Sequence, residues 1–201
     1  MINPSSDELM DLLAAFSTDE EGNPTSPMPP RWDAEGPDAM RAIKVGSTGI
    51  GLIDMSSTEP WPGIFDHLGD IPNPMRHFRT VEFRVGDNSI AAHPLNVGAT
   101  RLLHRLLVDT RAEAFPATTD ERRHATELLS RPETLPVIHG PCVITGADQD
   151  GEPVALDEDF RRWFEKVVED LAEFRTALLA ALARAINVPP EAFGGDSIII
   201  L

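Results

Sequence analysis

The chain has a single cysteine, Cys142, so no disulfide can close within it. It has no apolar run near the roughly 20 residues that a membrane-crossing helix needs. Its first residues lack the basic stretch and apolar core of a secretory signal. Basic residues are scarce as well: 17 Lys and Arg stand against 33 Asp and Glu, a net charge of −16. That balance excludes the basic footprint of a nucleic-acid binder. These absences predict a cytoplasmic protein with no membrane contact and no direct contact with nucleic acid. Catalytic signatures are missing too: there is no Gly-x-Ser-x-Gly elbow, no two-His helical pair and no Cys/His metal spacing.

What is present suits one ordinary globular domain with appendages: 201 residues, 41% hydrophobic and 25% charged. The acidity sits at the two ends. Residues 1–39 hold nine acidic side chains against Arg31 alone, and residues 147–201 hold twelve against five basic ones, which leaves the centre near neutral. Solvated acidic faces are the simpler account; mimicry of a nucleic-acid backbone toward a basic partner is the alternative.

Three regions follow. Residues 1–39 read as an acidic, flexible arm. Ser6 caps a short helix whose Leu9, Leu12, Leu13 and Phe16 share one face, and a linker with Pro24, Pro27, Pro29 and Pro30 follows. That helix is a candidate for docking on a protein partner. Residues 40–165 read as an α+β core, a small and mostly antiparallel sheet with packed helices. Residues 158–201 read as a long amphipathic helix and an apolar tail.

Within the core, Met40–Val45 predicts a strand, residues 46–59 a loop, and Trp61, Ile64, Phe65 and Leu68 a short helix opened by prolines. Val81, Phe83 and Val85 alternate with Glu82 and Arg84, the pattern of a half-buried strand. Gly86-Asp87-Asn88 turns the chain, and Ser89–His93 is expected to return as a strand. Asn96 is the candidate cap of a helix carrying Ala99, Leu102, Leu103, Leu106 and Leu107. Thr118 with Glu121 forms a capping-box pattern. Val137–Thr145 and Pro153–Leu156 read as a hairpin, and Asp157 caps the long helix, with a stripe from Phe160 to Leu182.

Two phrases stand out. One is His93-Pro94-Leu95-Asn96-Val97-Gly98-Ala99-Thr100. The other is Ile138-His139-Gly140-Pro141-Cys142-Val143-Ile144-Thr145-Gly146, followed by Asp148-Gln149-Asp150-Gly151 and Leu156-Asp157-Glu158-Asp159. Through them the chain from Met40 to Val168, about two-thirds of its length, resembles a small domain-of-unknown-function family of phages, plasmids and actinobacterial genomes. That family carries a Leu-Pro-x-Asn-x-x-Ala-Thr phrase and an Ile-x-Gly strand before an Asp/Gly turn. This chain departs from it with His93 in place of leucine and an insertion between Arg111 and Thr134. The resemblance implies an α+β domain and a phage or mobile-element setting, and no reaction.

The site candidates are His93, Asn96, Thr100, His139, Asp148 and Asp150. His93 and His139 meet if their segments pair; satisfied structural histidines are the simpler account. Asp148, Asp150 and Glu152 resemble a fragment of a calcium loop, but the remaining ligands are missing and a hairpin turn is favoured. Gly46-Ser47-Thr48-Gly49-Ile50-Gly51 looks like a phosphate-binding loop but lacks the crossover helix that such a loop opens, so a flexible loop is expected. Cys142 reads as an inert buried thiol, and Arg76, Arg79 and Arg84 as a solvated basic face. No cofactor or metal is expected. The sequence therefore favours a non-enzymatic accessory protein of phage or mobile-element type that binds a host or phage protein, with a counter-defence or regulatory role. A structural or assembly component of a phage particle or homo-oligomer is the alternative: Ile186-Asn187-Val188-Pro189-Pro190-Glu191 looks like a phrase of phage portal proteins, and Ile198–Leu201 is apolar at the chain end.

Overall fold

Strand β1, Ala39–Val45, turns back into β2, Ile50–Ser56, and the two pair along their full length. The computed structural model describes Trp32, Ala34, residues 36–47 and residues 49–185, with side chains through residue 171. The glycine-rich segment is thus a hairpin, closed by Gly46 N–H donating to Gly49 O at 2.9 Å. Its second strand stands where a loop was expected. It is an edge strand exposed on parts of both faces, so it lacks the sharp alternation that marks a half-buried strand.

Helix α1, Pro60–Leu68, starts on a proline, whose missing N–H costs nothing at the first helical position, and ends on Gly69. Strand β3, Pro72–Met75, was not foreseen. Its two prolines donate no ladder bonds, which suits the sheet edge it occupies beside β4, Val81–Gly86. The expected strand at Ser89–His93 is instead one helical turn, α2, Ser89–Ala92, closed by His93 N–H on Ser89 O. The turn at Asp87-Asn88 winds on into it.

The capped helices are as read. Asn96 Oδ1 accepts Ala99 N–H at the start of α3, Val97–Arg111. Thr118 and Glu121 form a full capping box on α4, Thr119–Leu129, and a 3₁₀ turn spans Pro132–Thr134. Strand β5, Cys142–Ala147, and the short β6, Pro153–Val154, form the second hairpin. Asp157 Oδ1 accepts Phe160 N–H at the start of α5, Glu158–Ala185.

The chain is an α+β fold with an antiparallel sheet in the order β2-β1-β5-β4-β3, β6 pairing with β5. One face carries Ile43, Val45, Phe83, Val85, Cys142 and Ile144 against the apolar sides of α3 and α5. Within this core Phe160 and Trp163 meet Phe115 edge-on and each other at a tilt, and Phe164 stacks on Phe160. Asp109 anchors α5 to α3, accepting Trp163 Nε1–H at 2.9 Å and Arg105 Nε–H at 2.7 Å. Trp32, in the arm, packs edge-on against Phe164 and donates to Glu165. The other face carries Met40, Ala42 and Val143 against Ile64 and Leu68 of α1. Both faces of β4 are therefore covered, and all six of its residues are buried. Gly146 lets the second hairpin close: a Cβ there would lie 2.3 Å from Ala155 O. The N-terminal helix, most of the Pro-rich linker, Ile186–Glu191 and the Ile198–Leu201 tail lie outside the described residues.

Candidate functional site

The two phrases of the sequence meet in space. Leu95 and His139 form an antiparallel bridge. Asn96 N–H donates to Ile138 O at 2.7 Å and Gly140 N–H to Pro94 O at 3.0 Å. The Asn96 side chain then joins three elements. Its oxygen caps α3, while Nδ2 donates to Val45 O at the end of β1 (3.0 Å) and to Gly140 O (2.8 Å). Thr100, one turn along α3, takes Ile138 N–H on its hydroxyl oxygen at 2.9 Å and returns a longer bond to Ile138 O. Both side chains are buried.

His93 and His139 do come together, through His139 Nδ1 and the His93 carbonyl at 3.2 Å, not through their two rings. Gly140, at φ +69°, leaves room for the His93 imidazole, which a Cβ there would touch at 2.8 Å. Asn96 and Thr100 thus spend their polar capacity on the fold. What faces solvent around them is Leu95 (47% exposed), Val137 (50%), Ile90 (76%) and the two histidines.

Asp148 and Asp150 lie apart from this junction. They follow the far end of β5, about 20 Å of strand away from His139 at ~3.4 Å per residue. Asp148 Oδ1 accepts the backbone N–H groups of Asp150 and Glu152, both at 2.9 Å, which fixes the turn. Glu152 Oε2 accepts Trp61 Nε1–H at 2.7 Å. The Asp148 carboxylate thus builds the turn and that of Glu152 ties it to α1, and among the described residues no three His, Cys, Asp or Glu side chains converge as a metal site.

Sequence reasoning missed two constellations. The first is a polar layer under α1. Arg84 is fully buried, not solvated. Its Nη2 pairs with Glu82 at 2.7 Å and donates to Gly151 O at 3.1 Å, and its Nε donates to Thr145 Oγ1 at 3.1 Å. The Trp61 ring roofs the guanidinium at 4.8 Å, and Arg76 approaches Glu82 from outside. Burial lowers the Arg84 pKa, against the opposing pull of Glu82 and Glu152. Alternation placed Glu82 and Arg84 on the second face correctly; it carried no sign that α1 covers that face.

The second is His77 with His124, 47 positions apart. His77 Nδ1 and His124 Nε2 are 3.2 Å apart, and the ring planes differ by 17°. The centroids are 5.5 Å apart, close to that contact plus two ring radii, so the rings lie edge to edge with their nitrogens aimed at each other. That is the geometry of an N–H···N hydrogen bond; two nitrogens holding one tetrahedral metal would converge at an angle. Cys142 is buried and its thiol pKa is pushed far up by desolvation. No family model, curated protein or solved structure matches the chain.

Proposed function

We propose that this is a non-enzymatic accessory protein of phage or mobile-element type that acts by binding a host or phage protein. The observation that carries the reading is the division of labour at the junction. Asn96 and Thr100 are consumed by capping and cross-linking, so the first phrase offers Leu95 and His93 to solvent, with Val137 and Ile90 exposed just outside the two phrases. Side chains that hold a surface in shape and leave Leu95, Val137 and Ile90 outward serve contact with a protein better than reaction at a bound small molecule. The resemblance of the two phrases to the phage and actinobacterial family supplies the setting.

Affinity capture from an actinobacterial lysate tests this, comparing the natural chain with a Leu95→Asp/Val137→Asp variant. One stoichiometric protein, captured by the former and lost by the latter at unchanged melting temperature, supports the proposal. Equal capture by both moves the contact away from the junction. No capture, together with stabilisation by a small molecule, overturns the proposal. A structural role is the second reading, favoured by the 28 residues of α5: at ~1.5 Å per residue they reach about 42 Å, well beyond strands of seven residues or fewer. Light scattering across a concentration series distinguishes it, since an assembly component self-associates without a partner.

A further inference from the structure

Helix α4 is held differently from its neighbours. Ala125 is its only buried residue, and Leu128 and Leu129 pack partly against the core. Its ties to the β3–β4 connection are polar. Arg79 N–H donates to Glu121 Oε1 at 2.7 Å, and His77 shares its hydrogen bond with His124. The sheet, α3 and α5 have their own apolar core and Asp109 anchor. We propose that the His77–His124 hydrogen bond is an acid-sensitive latch, which holds α4 closed while at most one ring is charged and releases it when both are.

The proton count decides this. In the neutral pair one inner nitrogen donates and the other accepts. A first proton enters on the outer nitrogen of the donating ring, the one without a hydrogen, which leaves the inner bond intact and makes it charge-assisted, hence stronger. A second proton places two N–H groups and two positive charges face to face, with His77 half-buried. The other charges around the pair do not relieve this. Glu121, one turn before His124, is committed to Thr118 and the Arg79 backbone. Asp120 is paired with Arg123, and Arg76 with Glu82; Glu127, one turn after His124, is exposed. Opening bares Ala125, Leu128 and Leu129 and the part of the core they cover.

The sign follows from the same geometry. Desolvation, then the charge of His124, lower the His77 pKa from 6.5 to about 4. A lowered histidine pKa favours the closed state above the ordinary value, and that advantage is lost as pH falls toward the folded one. Bonds from Thr118 and Arg79, which outweigh burial, hold the Glu121 pKa below its usual value.

Hydrogen exchange on the full chain, corrected for intrinsic rates at each pH, tests the latch. Between about pH 6.5 and 4, protection of residues 119–129 is expected to fall by up to about tenfold per pH unit, the slope for one proton. Protection in β4 and β5 is expected to hold. Each single variant keeps one ionisable ring at the contact: in His77→Asn the slope flattens, and in His124→Gln, where the burial of His77 remains, it shrinks. The ring nitrogens of the natural protein, followed by ¹⁵N NMR, report the shared proton directly without any variant. The latch is overturned by protection of α4 that is flat across this range, by an equal fall in both variants, or by a fall that includes β4 and β5 together.

Discussion

Arg84 lies wholly inside the protein with its guanidinium 4.8 Å below the centre of the Trp61 ring, and Glu82 is its only carboxylate partner within salt-bridge distance among the described residues. A buried charge that loses its counter-charge is costly, whereas an apolar replacement of the whole pair is often neutral. Glu82→Ala is therefore expected to destabilise by about 3–5 kcal/mol, and Glu82→Leu/Arg84→Met to recover most of that loss. Urea unfolding of the three proteins checks it. Equal stability of the single variant and the natural chain would show the pair to be solvated.

Asn96 separates capping from cross-linking. Asn96→Asp keeps the acceptor for Ala99 N–H but replaces both donors to Val45 O and Gly140 O by an oxygen facing carbonyls. A lost cap alone costs about 1 kcal/mol. Asn96→Asp is expected to cost about 2–4 kcal/mol, because two carbonyls lose their donor and meet a charge. If its thermal unfolding matches the natural protein's, the cap is the whole role of the residue.

These two residues also mark how much was legible in the sequence. Asn96, Thr118 with Glu121, and Asp157 were readable as caps because a cap is a local matter, settled within four residues of chain. Arg84 was misread because alternation assigns a face and says nothing of what lies over it. Strand β3 hid behind Pro72 and Pro74, and β2 behind glycines that draw attention to a phosphate loop. Ser89–His93 follows a turn pattern as a returning strand would, and a single helical turn forms there. The His77–His124 contact leaves no periodic trace, since its partners are brought together only by the docking of α4.

Asp109 holds α5 to α3 through one carboxylate oxygen that accepts both Trp163 Nε1–H and Arg105 Nε–H. Asp109→Ala strands a buried indole N–H and is expected to cost about 1–3 kcal/mol. Chemical denaturation followed by tryptophan emission measures it; an unchanged midpoint would mean that water replaces the carboxylate without loss.

Cys142 is buried at the start of β5, and burial raises its thiol far above the ordinary range. At pH 8 the native protein is expected to resist a thiol reagent such as Ellman's and to react only at the rate of opening. Rapid stoichiometric labelling, without loss of far-UV circular dichroism, would contradict the burial.

Gly146 permits Ala155 O to approach where any side chain would stand. A single methyl group there would lift β6 from β5 and with it the Gly151 carbonyl that receives Arg84. Glycine at this point is thus tied to a charge on the neighbouring strand that it never touches. In a mutational library the two positions should fail together, and a lineage that lost the arginine would be free to lose the glycine as well.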